Sequence, residues 1–323
     1  MRRRVHRAIP LVCVLAGGFW ARPVASQGLP PYASMNPMVF SRSGLATVPF
    51  VAPGRPWRVT ALLDYASPIE YASNTSTFYI MDAELLRLEV TATRQLGAKA
   101  FVLGQASVNG AYNGFLDGFL EWYHDLVGLH VAARDIRPRN EFAYELDLPD
   151  GRHFTYDKSS GYVGDLRLGG GIRLSPHWQT VLSFTLPTST GPDGFTKGTV
   201  SANVTTLLRT NFAKRFTYEG TLGAGYTPTH GPLSNLQHTT FLMVTQGLRG
   251  RVAGPFSLYT NLIYHSSLYH DMGTTELDAR ELTIDVGGFF KFKHGPEWIL
   301  GLTEDLEPSG PAIDVAFRLG ARW

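Results

Sequence analysis

The chain has 323 residues, 17% of them charged, with a formal net charge of +2 and a single cysteine. That balance leaves no polyanion-binding footprint, which argues against nucleic acid as a partner, and one thiol excludes an internal disulfide framework. Mean hydropathy is −0.07 and nothing after the leader runs for about 18 uninterrupted apolar residues, which excludes transmembrane helices but suits a β-barrel, where only alternate residues meet lipid.

The chain opens on a basic cluster, Arg2, Arg3, Arg4 and Arg7, then an apolar stretch from Ile9 to Trp20 and the small-x-small sequence Val24-Ala25-Ser26. This is the pattern of a secretory signal over residues 1–26, too short to span a bilayer and cleaved before Gln27. Cys13 lies within the apolar stretch, so the exported chain is expected to have no thiol and no Cys-ligated metal. Residues 27–56 are rich in Pro and Gly and admit two readings, a periplasmic tail or a plug inside a lumen.

From Trp57 onward the pattern has a period of two. Trp57, Val59, Ala61, Leu63 and Tyr65 alternate with Arg58, Thr60 and Asp64, and Leu86, Leu88 and Val90 with Arg87, Glu89 and Thr91. The stretch Lys99 to Ser107 is ambiguous. Residues 109–161 exceed what a hairpin loop needs and contain a helical pattern over 115–129, with Phe115, Phe119, Trp122 and Leu126 on one face and Asp117, Glu121, His124 and Asp125 on another. Three roles fit this helix: a gate or plug in the barrel mouth, a solvated surface helix, or a metal site, since two carboxylates and a His are usable ligands. Glu141 to Tyr156, around Pro149-Asp150-Gly151, reads as an exposed hairpin.

Alternation resumes at Tyr162 and continues to the end. Leu166, Leu168 and Ile172 oppose Asp165, Arg167 and Arg173; Trp178, Leu182 and Phe184 oppose Gln179 and Ser183; Val204 and Leu208 oppose Asn203 and Arg209. Tyr218 and Leu222 oppose Thr217 and Glu219, Leu242 and Leu248 oppose Met243 and Arg249, and Leu258 and Leu262 oppose Tyr259 and Asn261. Leu282, Ile284 and Val286 oppose Glu281, Asp285 and Lys291; Trp298 and Leu300 oppose Ile299 and Thr303. The last strand sets Ile313, Val315, Phe317, Leu319, Ala321 and Trp323 against Asp314, Arg318 and Arg322.

Charge falls on one face only. A lysine or arginine facing mid-bilayer lipid costs about 2–4 kcal/mol, so this segregation predicts an all-β transmembrane antiparallel barrel of about 12 strands over residues 57–323. Strands of about twelve residues, rising ~3.3 Å each and tilted ~45°, span roughly 28 Å, enough for the apolar band. Short and long connections alternate, as periplasmic turns and external loops do. Trp57, Trp178, Trp298 and Trp323 then form a periplasmic aromatic girdle, with Tyr65, Tyr162, Tyr226 and Tyr264 near the outer rim. The lumen lining is expected to comprise Asp165, Arg167, Arg173, Arg209, Glu219, Asp285, Lys291, Asp314, Arg318 and Arg322. Their mixed signs fit a polar pore or a cross-strand ion-pair network.

The segment Met35-Asn36-Pro37, the run from Gly114 to Glu121 with His124 and Gly128-Leu129, and Leu302-Thr303-Glu304-Asp305-Leu306 before Pro311 carry a resemblance. Over about Pro31 to Trp323 the chain resembles a family of uncharacterised proteobacterial outer-membrane β-barrel proteins known only as a domain of unknown function. The resemblance implies the barrel fold and an outer-membrane location. That family has no established activity, so no residue roles come with it.

Three functions follow as expectations: a narrow or gated passive channel for small solutes, a non-conducting structural or partner-binding barrel, and a lipid hydrolase using His265 as base and Ser267 as nucleophile. The third lacks an evident orienting residue, Glu276 and Asp271 being poor candidates, and the pair points inward, away from lipid. No cofactor is expected. The expected partners are outer-membrane lipids and the barrel-assembly machinery, the latter through the strand ending at Trp323.

Overall fold

The computed structural model describes residues 28–54, 56–128, 137–213, 215–307 and 315–323. The signal sequence read over residues 1–26 and the lumen candidate Asp314 lie outside these. In chain order the strands begin β1 (Trp57–Ala66), β2 (Ile69–Ser73), β3 (Phe78–Asp82), β4 (Glu84–Leu96), β5 (Ala100–Tyr112), β6 (Ala143–Asp147), β7 (His153–Thr155) and β8 (Ser159–Val163). They continue with β9 (Leu166–Ser175), β10 (Trp178–Leu186), β11 (Ser201–Phe212), β12 (Phe216–Tyr226) and β13 (Thr240–Ala253). The last are β14 (Phe256–His265), β15 (Glu281–Lys291), β16 (Glu297–Asp305) and β17 (Val315–Arg322). Among the described residues three α-helices accompany them, α1 (Pro37–Phe40), α2 (Asp117–Val127) and α3 (Thr275–Asp278), with a 3-10 turn at Ser234–Leu236.

The larger sheet closes on itself. β1 pairs antiparallel with β17 on one side and with β4 on the other, and β4 pairs with β5. Thirteen strands make twelve staves, because β8 and β9 run end to end against β5. Closure pairs every full-length strand on both sides, with only the short β8 paired on one side, as a spanning sheet requires in a solvent that offers no hydrogen bonds.

The wall is inverted relative to a soluble barrel. Outward residues such as Leu88, Ile172, Leu182, Leu222, Leu258, Leu300 and Leu319 are exposed. Their inward neighbours Arg87, Arg173, Ser183, Thr221, Ser257, Ile299 and Arg318 are buried. A continuous apolar outer belt around a charged interior is stable only with lipid outside. Five turns at one end of the wall have five or fewer residues, as at residues 97–99 and 176–177, while the opposite end carries the long loops.

One stave breaks the period. Gln105 pairs with Arg167 but Val108 pairs with Val163, so one extra residue is inserted at Gly164-Asp165. Such a bulge exchanges the two faces. Tyr162, which strict alternation assigns to the outer aromatic rim, therefore turns inward and packs 6.3 Å from Phe195. The ambiguous stretch near Lys99 is the full-length strand β5.

The long-loop end is covered. β2, β3, β6 and β7 form a second antiparallel sheet, and Tyr79, Met81, Tyr144 and Leu146 are fully buried beneath it with Leu268, Met272 and Leu277 from other loops. The hairpin expected near Pro149-Asp150-Gly151 is present, with Gly151 at φ +86° supplying its turn. Its inner face is buried, in contrast to the exposed hairpin expected from sequence, because neighbouring loops supply apolar partners.

Candidate functional site

The lumen is occupied by residues 28–52. This segment has almost no secondary structure of its own: one short turn, α1, and a contact between two arms in which Thr47 N–H donates to Tyr32 O at 2.8 Å. Buried carbonyls without sheet or helix partners must find donors elsewhere. The inward side chains of the wall supply them.

Toward the short-turn end, Gln179 accepts from Val51 N–H at 2.9 Å and donates to Pro49 O at 3.1 Å. Arg173 donates to Val51 O at 3.2 Å, and Arg58 to Phe50 O and Ala52 O at 3.1 and 2.7 Å. Glu219 accepts from Leu29 N–H at 2.8 Å while facing Arg209 at 3.4 Å. At mid-height Arg87 donates to Ser34 O and Ala33 O, Asn203 to Gly44 O at 3.0 Å and Arg167 to Ala46 O at 3.2 Å. Near the outer mouth the segment also donates. Arg42, from the segment itself, donates to Thr227 O, Pro228 O and His238 O at 2.6–2.8 Å. Tyr32 and Ser34 hydroxyls donate to Glu281, and Lys197 to Phe40 O at 3.2 Å.

Two ion clusters brace the wall behind the segment. Arg318 bridges Asp64 at 2.7 Å and Asp285 at 3.0 Å, with Arg87 on Asp64 at 3.1 Å. Glu297 holds Arg249 at 2.6 Å and Arg322 at 2.5 Å, and both guanidiniums stack on Phe289. These charges are buried, so each depends on its partners to offset desolvation.

The expected lining residues fall into three groups. Arg167, Arg173, Arg209, Glu219, Asp285, Arg318 and Arg322 are buried on the inward face. Asp165 sits at the bulge and accepts from Ser189 N–H at 2.9 Å. Lys291 has inward parity but ends its strand, and its ammonium donates to Gly295 O in the turn at 3.0 Å, outside the lumen. Trp57, Trp178, Trp298 and Trp323 are all outward and exposed at the short-turn end.

The helix expected as gate or plug is corrected by its contacts. α2 lies on the outer surface of the wall: Phe119 packs 6.3 Å from Phe317, and Phe115 5.6 Å from Tyr65, both outward residues of the closing strands. Phe115, Phe119, Trp122 and Leu126 remain exposed beside the apolar belt. The physical reason is solvation, since an apolar stripe gains nothing from a polar lumen that another segment already fills. Its acids are engaged locally: Asp117 accepts from Asn140 N–H at 2.5 Å and Glu121 pairs with Arg139. Asp125 is exposed, and the side chain of His124 lies outside the described residues. Among the described residues no group of three potential metal ligands gathers.

His265 and Ser267 are not joined. His265 contacts Ser43 Oγ at 2.7 Å through Nε2 and Ser266 O at 2.7 Å through Nδ1, while Ser267 donates to Tyr269 O at 2.7 Å. Sequence reasoning did not single out Arg42, Gln179 and Lys197. Gln179 had a signal in its inward parity; Arg42 and Lys197 lie in segments without periodicity and had none.

Comparisons with known proteins agree with this architecture. A sequence profile described as a protein of unknown function (DUF3187) matches residues 11–323. No curated protein matches the chain. Among solved structures, the COG4313 outer membrane channel from Pseudomonas putida F1 is similar with a TM-score of 0.52 and 13% identity, covering 84% of this chain and 96% of that one. The KdgM porin has a TM-score of 0.41 at 8% identity, covering 82% and 98%. The translocator domain of the autotransporter NalP from Neisseria meningitidis has 0.44 at 10%, covering 84% and 88%. At 13% identity the likeness to the first of these is one of fold alone.

Proposed function

The chain belongs to the DUF3187 family, and on that premise we propose that it is a passive outer-membrane channel for small solutes, closed by its own residues 28–52. One observation carries this reading. The segment is held by side-chain hydrogen bonds and apolar packing, not by a place in the sheet, so it can leave while the closed wall stays intact. The wall behind it is polar and charged, lined by Arg87, Arg167, Asn203, Glu219, Asp285 and Arg318, which is a surface water and polar solutes wet readily.

The test is conductance in a planar bilayer. The mature protein should be mostly silent with rare openings, and a variant lacking residues 28–52 should pass steady current. Folding of both is checked by the mobility shift that intact barrels show on heating in detergent. Silence from two folded proteins would overturn the channel and favour a filled barrel acting through its external cap.

A further inference from the structure

The N-terminal segment does not fill the lumen everywhere. A cavity of about 120 Å³ lies between residues 33–46 and the inward faces of β4, β5 and β9, beside the bulge at Gly164. Its charged lining is mixed in sign: Arg87 is paired with Asp64 and Asp165 accepts from Ser189 N–H, while Glu89, Lys197 and Arg167 have no ion partner. Glu89 is 7% exposed and makes no hydrogen bond or ion pair among the described residues. Lys197 is 6% exposed and has a single polar contact, with Phe40 O. Arg167 donates only to the neutral oxygens of Ser183, Gln105 and Ala46. None of these three comes within 4.0 Å of an opposite charge.

Buried charges without partners are costly, and opposite charges that share a cavity ordinarily collapse onto one another. Here the wall holds them apart, Glu89 and Arg167 on strands two staves apart and Lys197 on a loop. A ligand with one charge of each sign satisfies both sides at once; a simple ion leaves one side unmatched. Size narrows the class further. An apolar cavity of about 150 Å³ accepts a six-carbon ring, so this one holds a molecule of about six heavy atoms.

We propose that the cavity binds a small zwitterion of amino-acid size, with its ammonium at Glu89 and its carboxylate at Lys197 and Arg167. Charge-assisted hydrogen bonds at both ends give such a ligand its orientation. The proposal goes beyond the channel reading and stands without it, because equilibrium binding requires no current.

The experiment is calorimetric titration of the detergent-solubilised full-length mature protein with three probes: L-alanine, acetate and ethylammonium. L-Alanine should bind, and each half-ligand should bind at least about tenfold more weakly, about 1.4 kcal/mol. Glu89→Gln, which keeps shape, and Lys197→Met should each weaken L-alanine about tenfold. Absence of L-alanine binding to the unaltered protein overturns the proposal and leaves water in the cavity. Equal binding of acetate, or folded variants that bind as the native protein does, also overturns it. The probe series on the unaltered protein decides the matter even where a variant fails to fold.

Discussion

At the scale of single residues, Arg318 has the most exacting position. It bridges the buried carboxylates of Asp64 and Asp285, so Arg318→Met leaves Asp285 without an ion partner and Asp64 with Arg87 alone. Breaking a buried pair in this way costs about 3–5 kcal/mol, and the midpoint of denaturant unfolding should fall accordingly. An unchanged midpoint would mean that water already solvates this layer. Lys197 has the opposite character. Burial pushes its ammonium down to about 7, Asp165 draws it up, and Arg42 and Arg167 push it down again. Its folded value lies below the unfolded one, so between about pH 7 and the usual lysine range the unfolded chain holds a proton that the folded chain does not. Its contribution to stability therefore rises with pH across that window. Binding of L-alanine runs the other way, because the cation that meets its carboxylate is lost: affinity should drop between pH 6 and 8, and Lys197→Met should flatten the profile. Most inward residues were legible from alternation alone. Tyr162 was not, because one residue inserted at Gly164-Asp165 exchanges the faces without any mark in the local composition.

At the scale of elements, the wall strands could be read because each separates two very different solvents, and that difference is written as a period of two. Of the cap strands, β6 and β7 were read as the hairpin around Pro149-Asp150-Gly151, whereas β2 and β3 escaped, since they are mostly buried and little solvent contrast marks them. Helix α2 was legible as a helix but not as to place: an apolar stripe specifies an apolar neighbour, and the sequence does not say which one. The ring contacts with Tyr65 and Phe317 put that neighbour outside the barrel. From this position Trp122, 58% exposed, should lie among the outer-leaflet lipids, since aromatic rings favour the interface. In a protein whose other tryptophans are replaced by Phe, lipids brominated near the headgroup should quench Trp122 fluorescence strongly. Fluorescence insensitive to brominated lipid would place the helix away from the bilayer.

At the scale of the molecule, wall, cap and N-terminal segment form one system, and the segment is the part that sequence left open between tail and plug. Its Pro and Gly content signals only that it builds no regular structure; what it does instead depends on donors that lie 100 or more residues away, such as Arg173, Gln179 and Asn203. Arg42 ties this segment to the external loops by donating to three carbonyls at once, those of Thr227, Pro228 and His238. If the segment is the gate, this knot sets much of its closed-state preference. Hydrogen bonds from a charged donor contribute about 1.5–3 kcal/mol, so Arg42→Gln should raise the ratio of open to closed time in single-channel records about tenfold to a hundredfold. The substitution leaves every wall residue in place, so the conductance of each opening should be unchanged while openings become frequent. Openings as rare as in the native protein would show that the segment is held elsewhere, in the mid-height layer of Arg87, Arg167 and Asn203. A change in the size of each opening would instead mean that the wall had rearranged, and the segment would then be part of the pore and not its gate.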